Sequence, residues 1–428
     1  MQVADLKIEE DIVPFFDNYL NIYGKTALSQ IFSYVPESEQ EVLDTQAIVK
    51  TLIQFEHALS SLPNYNQDLA EVYSFTNQLS NNTGLLNESN IRLRLKHTIN
   101  RSVRDSFRSK VLQWGFLIDK LYQNCFKLIK PELFPDIYRS RFLQINNVIL
   151  AFRPYFTNND IFSSAKGTSN YIDILKKLLV IANDGTFTKF WSSLFQFYAY
   201  ASIAGTTRSR KFQFAEMSNQ ELLLKHFYHP LLRHPVRNDL VLNKRLLLLT
   251  GPNMSGKSTL LKSLSLCVFL SRIGIAVPAA SCRIPWYDEI YVHINKKDSL
   301  VKGVSHFMDE INLLKTAVEN AANGKKVFAV FDEIFSGTNI DDAHSLLETT
   351  IRGVQKFQDS CFIFSTHLDC SSMAALNDGH SAAVFHLDAN ISNGHPTFHY
   401  KLKEGFSDQR LGKLIFEQSG LSTLLSGK

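Results

Sequence analysis

The chain has almost no net charge and no long uninterrupted apolar run. Its 428 residues carry 45 basic and 41 acidic side chains, a balance of +4. That is too even to mark a nucleic-acid binder by composition alone. The most apolar stretch, Ser263 to Ala280, is broken by Arg272, so no membrane span is expected. Met1 to Asp5 lack the basic start and apolar core of an export signal. Cysteine is scarce: Cys125, Cys267, Cys282, Cys361 and Cys370 are scattered, and no two stand at metal-ligand spacing. Their odd number argues against a disulfide framework. A reducing, cytoplasmic setting without structural zinc is expected. Glycine is sparse before residue 200, strand-like alternation is hard to find there, and no internal repeat is visible. What remains is an ordinary globular composition, 45% hydrophobic, in a chain long enough for two or three domains.

The first half reads as helical. Phe15, Phe16, Tyr19, Leu20 and Tyr23 recur at three- and four-residue spacing, as do Ile48, Val49, Leu52, Ile53 and Phe55. The polar stretch Asn77 to Asn90 reads as a loop. Beyond it Ile91, Leu95, Ile99, Val103, Phe107 and Val111 form an apolar stripe, flanked by Arg94, His97, Arg101, Arg104 and Arg108. The basic positions span roughly 21 Å at ~1.5 Å per residue, a length that suits a run of phosphates. Basic helix faces are more often simply solvated. The aromatic stretch Phe190 to Tyr200 reads as core.

From about Phe212 the texture changes to strands alternating with helices. Leu246–Thr250, Val327–Phe331 and Cys361–Ser365 are short apolar runs, each followed by polar residues. That is the pattern of a mostly parallel sheet with its chemistry at the strands' carboxyl ends. The division lies between Phe195 and Ser218. We take 1–205 as an all-α domain and 206–428 as an α/β domain.

Directly after Leu246-Leu247-Leu248-Leu249-Thr250 comes Gly251-Pro252-Asn253-Met254-Ser255-Gly256-Lys257-Ser258-Thr259. Glycines at 251 and 256 let backbone N–H groups cup phosphate oxygens. Lys257 adds a point charge, and Ser258 can place a hydroxyl on Mg²⁺. The strand Val327–Phe331 ends in Asp332-Glu333. Asp332 can hold the same Mg²⁺, and Glu333 can orient or deprotonate a water at the γ-phosphate. Cys361–Ser365 leads to Thr366-His367, and His367 is placed to report on the γ-phosphate. Lys302-Gly303-Val304-Ser305 opens a further helix, where Ser305 can serve as an N-cap, as an anion contact, or as both.

Taken together these residues resemble the MutS family of DNA mismatch-repair ATPases. Gly251 to Thr259, with Asn253 and Met254 after the proline, is similar to that family's form of the phosphate loop. Ser305-His306-Phe307-Met308-Asp309-Glu310 resembles its signature serine segment, and Asp332-Glu333-Ile334 with Gly337-Thr338 its acidic strand end. Ser365-Thr366-His367 resembles its histidine switch. Tyr400-Lys401-Leu402-Lys403 with Gly405 resembles its closing strand, and Tyr228-His229-Pro230-Leu231 with Asn238-Asp239 the lead-in to its sheet. The resemblance implies a P-loop ABC-type ATPase domain preceded by a helical core and lever. ATP and Mg²⁺ are the implied cofactors, a homodimer the implied assembly, and DNA the implied partner, with Arg94, Arg101, Arg104 and Arg108 the candidate contacts. It further implies composite sites, with Ser305 acting on the other subunit's nucleotide and with Tyr228, His229 and Pro230 flanking the adenine. His306 and Phe335-Ser336 depart from the residues repair members usually carry. The few residues before 206 suggest a short member without the mismatch-reading domain. Three functions stay open: an ATPase that switches its hold on DNA, a nucleotide-gated scaffold for a protein partner, and an unrelated P-loop enzyme.

Overall fold

The computed structural model describes residues 1–18, 20–59, 62, 66–81, 101–156, 167–252, 254–294, 306–368, 370, 382–392, 395–406 and 424–425. The chain forms two compact units that interleave in sequence. Met1–Ile12, Val35–Val42 and Arg210–Lys428 make one; Val13–Tyr34 and Leu43–Ser209 make the other.

The second of these is helical, with helices at Ile22–Ser33, Asn66–Asn81, Arg101–Leu121, Asp136–Phe152, Gly167–Asn183 and Thr186–Ser209 among its elements. Its core is aromatic. Trp114 meets Phe152, Phe187 and Phe190 edge-on, and its ring centroid lies 6.2 Å from that of Trp191. The Trp191 indole N–H donates to Thr76 Oγ1 at 2.8 Å, so the buried ring leaves no polar atom stranded. Phe190 to Tyr200 thus lies in the core of this unit. The loop expected from Asn77 is corrected over Asn77–Asn81, which is helical. Leu69, Val72, Phe75 and Leu79 are buried at helical spacing, and burying that stripe outweighs the local polar preference. Residues 82–90 lie outside the described residues.

Among the described residues the other unit carries ten strands: β1 Glu216–Ser218, β2 Leu222–Phe227, β3 Asn238–Leu242, β4 Leu246–Thr250, β5 Ser281–Pro285, β6 Glu289–His293, β7 Val327–Phe331, β8 Cys361–Ser365, β9 Ala383–Ser392 and β10 His395–Glu404. The larger sheet runs β10-β9-β4-β8-β7-β6 and the smaller β1-β5-β2-β3. In the larger sheet β9, β4, β8, β7 and β6 pair parallel and β10 returns antiparallel. Every residue of β4, β7 and β8 is buried. Continuous apolar strands demand cover on both faces. On one face Leu314 and Ala317 of the helix His306–Ala322 and Leu347 and Ile351 of the helix Ile340–Val354 join Leu248, Phe331 and Phe364 in one cluster.

The first residues of the chain finish the β6 edge. The Gln2 N–H donates to the Ile290 carbonyl at 2.8 Å, and Val292 N–H returns a bond of 2.9 Å to Gln2. The Asp5 carboxylate accepts the Ile294 N–H at 2.7 Å. An edge strand so covered offers fewer unpaired groups to another chain. Among the described residues no helix is long and apolar enough to cross a membrane.

Candidate functional site

Between β4 and the helix Lys257–Arg272 the backbone turns through left-handed conformations, with φ of +137° at Gly251, +70° at Met254 and +93° at Gly256. A β-carbon at Gly256 would lie 3.0 Å from Cδ1 of Tyr400, so the torsion favours glycine and the neighbouring ring leaves little room for a side chain. Lys257 is only 5% exposed. Its ammonium donates to the carbonyls of Gly251 at 2.8 Å and Pro252 at 3.0 Å, which folds the charge back over the loop. Ser255 is fully buried, and its hydroxyl has no hydrogen-bond partner within the protein. Such a group costs about 1–3 kcal/mol when unsatisfied, and an anion's oxygen in the loop would satisfy it. Ser258 and Thr259 are exposed in the first turn of the helix. Asn253 lies outside the described residues.

Two strands away, Asp332 follows β7 and is 6% exposed. Its N–H donates to the His293 carbonyl at 2.8 Å. The Ser365 hydroxyl at the end of β8 donates to Asp332 Oδ1 and accepts the Glu333 N–H at 3.0 Å. One serine thereby fixes the side chain of one acid and the backbone of the next. Glu333 and Phe335 both hold positive φ, +53° and +63°. That turn is braced from the helix His306–Ala322, where Glu310 Oε2 accepts the Phe335 N–H at 3.0 Å. A β-carbon at Gly337 would come within 3.0 Å of Phe307 Cβ. The Thr366 N–H donates to the Leu249 carbonyl at 3.1 Å and ties the exit of β8 to that of β4. His367, next along, is exposed. Because β4, β8 and β7 are parallel neighbours, the loop, Thr366-His367 and Asp332-Glu333 leave one edge of the sheet. Ser305 lies outside the described residues; the helix after it starts at His306.

Beside the loop is a cavity of about 310 Å³, lined by Tyr228, His229, Gly256, Thr259 and Tyr400 among others. Burial, helped by the nearby Lys262 charge, holds the His229 imidazole below its ordinary value, with Asp11 opposing. The ring of Tyr228 carries the Arg237 guanidinium over it at 5.3 Å. Pro230 is half-buried and does not line the cavity. Sequence reasoning assigned no role to Ser365, Glu310, Asn238 or Tyr400. Asn238 did carry a signal: it takes an inward position in a strand that otherwise buries Leu240 and Leu242. Tyr400 was visible only as part of the Tyr400-Lys401-Leu402-Lys403 segment, because the residue it adjoins, Gly256, is distant in sequence.

Of the basic stripe, Arg94 and His97 lie outside the described residues. Arg101 and Arg104 fall in the helix Arg101–Leu121, but their side chains are outside the described set; Arg108 is half-buried.

The fold and site define a class: an α/β domain with a glycine-containing loop after one strand and paired acids after another. Residues 247–424 match the family model described as MutS domain V. The DNA mismatch repair protein MutS of Geobacillus sp. (strain WCH70) is 32% identical over 240 residues, 53% of this chain and 27% of the relative. Those of Bacillus thuringiensis (strain Al Hakam) and Bacillus cereus (strain 03BB102) are 32% identical over 204 residues, 46% of this chain and 22% of theirs. Over its α/β part the chain is similar to the MutS family. It spans about a quarter of the length of the curated relatives it matches.

Proposed function

We propose that the α/β unit binds and hydrolyses ATP, and that the nucleotide cycle switches the protein's hold on DNA. The observation that carries the reading is the delivery of three polar segments to one sheet edge: the loop with its folded-back lysine, the braced acidic pair, and Thr366-His367.

The loop's backbone N–H groups and the Lys257 ammonium receive the β- and γ-phosphates. Lys257 exchanges its two carbonyl partners for phosphate oxygens, and the stranded Ser255 hydroxyl gains an acceptor. The Ser258 hydroxyl and the Asp332 carboxylate are hard oxygen donors of the kind magnesium takes beside nucleotide phosphates and water. No group of three or more His, Cys, Asp and Glu suited to a metal occurs among the described residues. A magnesium–nucleotide complex brings its own phosphate and water ligands and needs none. When bound, the ion neutralises charge developing on the phosphates. Ser365 holds Asp332 in place for that role. Glu333, on a turn fixed by Ser365 and Glu310, orients the attacking water and takes its proton. His367 contacts the γ-phosphate side, and Ser305 reaches the nucleotide of a second copy in a homodimer. The cavity receives the base, with Tyr228 and His229 of the expected trio and Tyr400 in place of Pro230.

The three relatives above are DNA mismatch repair proteins by name, which supports DNA as the partner. Arg94, Arg101, Arg104 and Arg108 are the proposed backbone contacts, acting on phosphates without regard to sequence. The test is phosphate release from ATP by the full chain, alone and with plain, mismatched or branched duplex, beside Lys257→Ala. Hydrolysis that the variant loses and that DNA modulates is the expected result. No hydrolysis by the unaltered chain refutes the enzyme; hydrolysis indifferent to every duplex refutes the coupling to DNA.

A further inference from the structure

We propose that Asn238 is a positioning residue for base recognition: its amide holds the β10 bulge that lays Tyr400 against the phosphate loop. The inference rests on the nucleotide reading above and names the part of that site that holds the base.

Pairing of β10 with β9 is regular from His395↔Ser392 to Phe398↔Ala389, then shifts and resumes at Leu402↔Leu387. Tyr400 sits in that irregularity with φ +55°, a conformation that crowds any side chain bearing a β-carbon. Such a torsion persists only when the surroundings fix it. Here the surroundings are one side chain from another sheet. Asn238 Nδ2 donates to the Tyr400 carbonyl at 3.0 Å, and the Leu402 N–H donates to Asn238 Oδ1 at 2.9 Å. One partner can only accept and the other can only donate, so the amide has a single orientation. Asn238 is 6% exposed, and the bonds it makes stand in for the strand pairing the bulge forfeits. The Lys401 ammonium adds a bond to the neighbouring Arg237 carbonyl.

The consequence falls on the ring. Tyr400 lies so close to Gly256 that its Cδ1 is 3.0 Å from where a β-carbon there would stand. It forms one wall of the cavity, and Tyr228 and His229 also line it. An aromatic wall adjoining the phosphate loop is a stacking platform for a base whose phosphates occupy that loop. Asn238 acts through Tyr400: without its two bonds the bulge is free to regularise, and the ring leaves the loop. Phosphate affinity stems from the loop itself, so losing the clamp lowers affinity for a nucleotide and spares a bare polyphosphate.

The experiment titrates the full chain with Mg·ATP and with magnesium tripolyphosphate by calorimetry. Asn238→Asp keeps the acceptor for Leu402 and loses the donor to Tyr400. Asn238→Ser is the second variant, and a thermal transition confirms that each is folded. We expect ATP affinity to fall about tenfold in both and in Tyr400→Leu, the scale of one lost stack. Tripolyphosphate affinity stays within about twofold, and Asn238→Asp adds nothing to Tyr400→Leu because the two act on one element. ATP binding by both folded Asn238 variants at the unaltered level overturns the inference. So do equal losses for both ligands, or losses that sum in the double variant. An unaltered chain that binds neither ligand instead overturns the nucleotide reading, and this inference with it.

Discussion

Glu310 and Phe335 are joined by a 3.0 Å hydrogen bond from backbone N–H to buried carboxylate, and this bond links the helix His306–Ala322 to the turn that carries Glu333. The turn holds two non-glycine residues at positive φ, so it needs outside support. Glu310→Ala removes the acceptor from a buried N–H, at a cost of about 1–3 kcal/mol. We expect a lower urea midpoint and slower ATP hydrolysis with ATP affinity retained. Glu310→Gln keeps an acceptor and should restore most of both. Equal turnover in Ala and unaltered chains would remove Glu310 from the site.

Glu333→Gln keeps the side chain's size and removes its basicity. Hydrolysis should fall about a hundredfold or more, while ATP still binds and accumulates on the protein. Quench-flow measurement of bound ATP against ADP reads this directly. Normal turnover in the variant would assign water activation to another residue.

Gly256→Ala introduces a β-carbon at φ +93° and 3.0 Å from Tyr400 Cδ1. The torsion alone costs about 1–2 kcal/mol, and the clash displaces either the loop or the ring. ATP affinity should drop by at least about tenfold, with the melting temperature lowered. A variant that binds ATP unchanged would show that the loop reshapes freely.

All five cysteines are buried thiols outside any disulfide. Burial pushes the thiols of Cys125 and Cys267 far up, and those of Cys282 and Cys361 to about 12. Each raised group stays protonated at neutral pH, and the thiolate is the nucleophile. Iodoacetamide at pH 8 should label none of these four in the native protein and all of them in guanidinium, as mass spectrometry would count. Rapid native labelling at any of them would contradict its burial.

Arg101→Glu with Arg104→Glu tests the basic stripe. If both meet phosphates, duplex affinity falls and the salt dependence flattens by about two counterions. Hydrolysis without DNA should be unchanged. Undiminished binding at low salt would turn the stripe into a solvated face.

Much of the α/β unit was legible in the sequence. The apolar runs at 246, 327 and 361 are strands β4, β7 and β8 over the same residues, because a strand buried on both faces leaves no polar position to blur its ends. Gly251, Lys257, Asp332 and Glu333 were equally visible, since each is a short-range requirement of a loop or strand end. The helical unit was harder. Asn77–Asn81 looked like loop, and the buried stripe that runs from Leu69 into it at Leu79 makes it helix.

The sequence by itself determined the elements and the local chemistry at their ends, because strand burial, tight glycine turns and helix periodicity act over a few residues. Tertiary structure alone decided which distant residues brace that chemistry. Ser365 reaches Asp332, Glu310 reaches Phe335, and Asn238 reaches Tyr400 across strand and helix pairings. These contacts arise from parallel crossovers and a bulge whose register follows from packing the whole sheet, and no local pattern encodes that register.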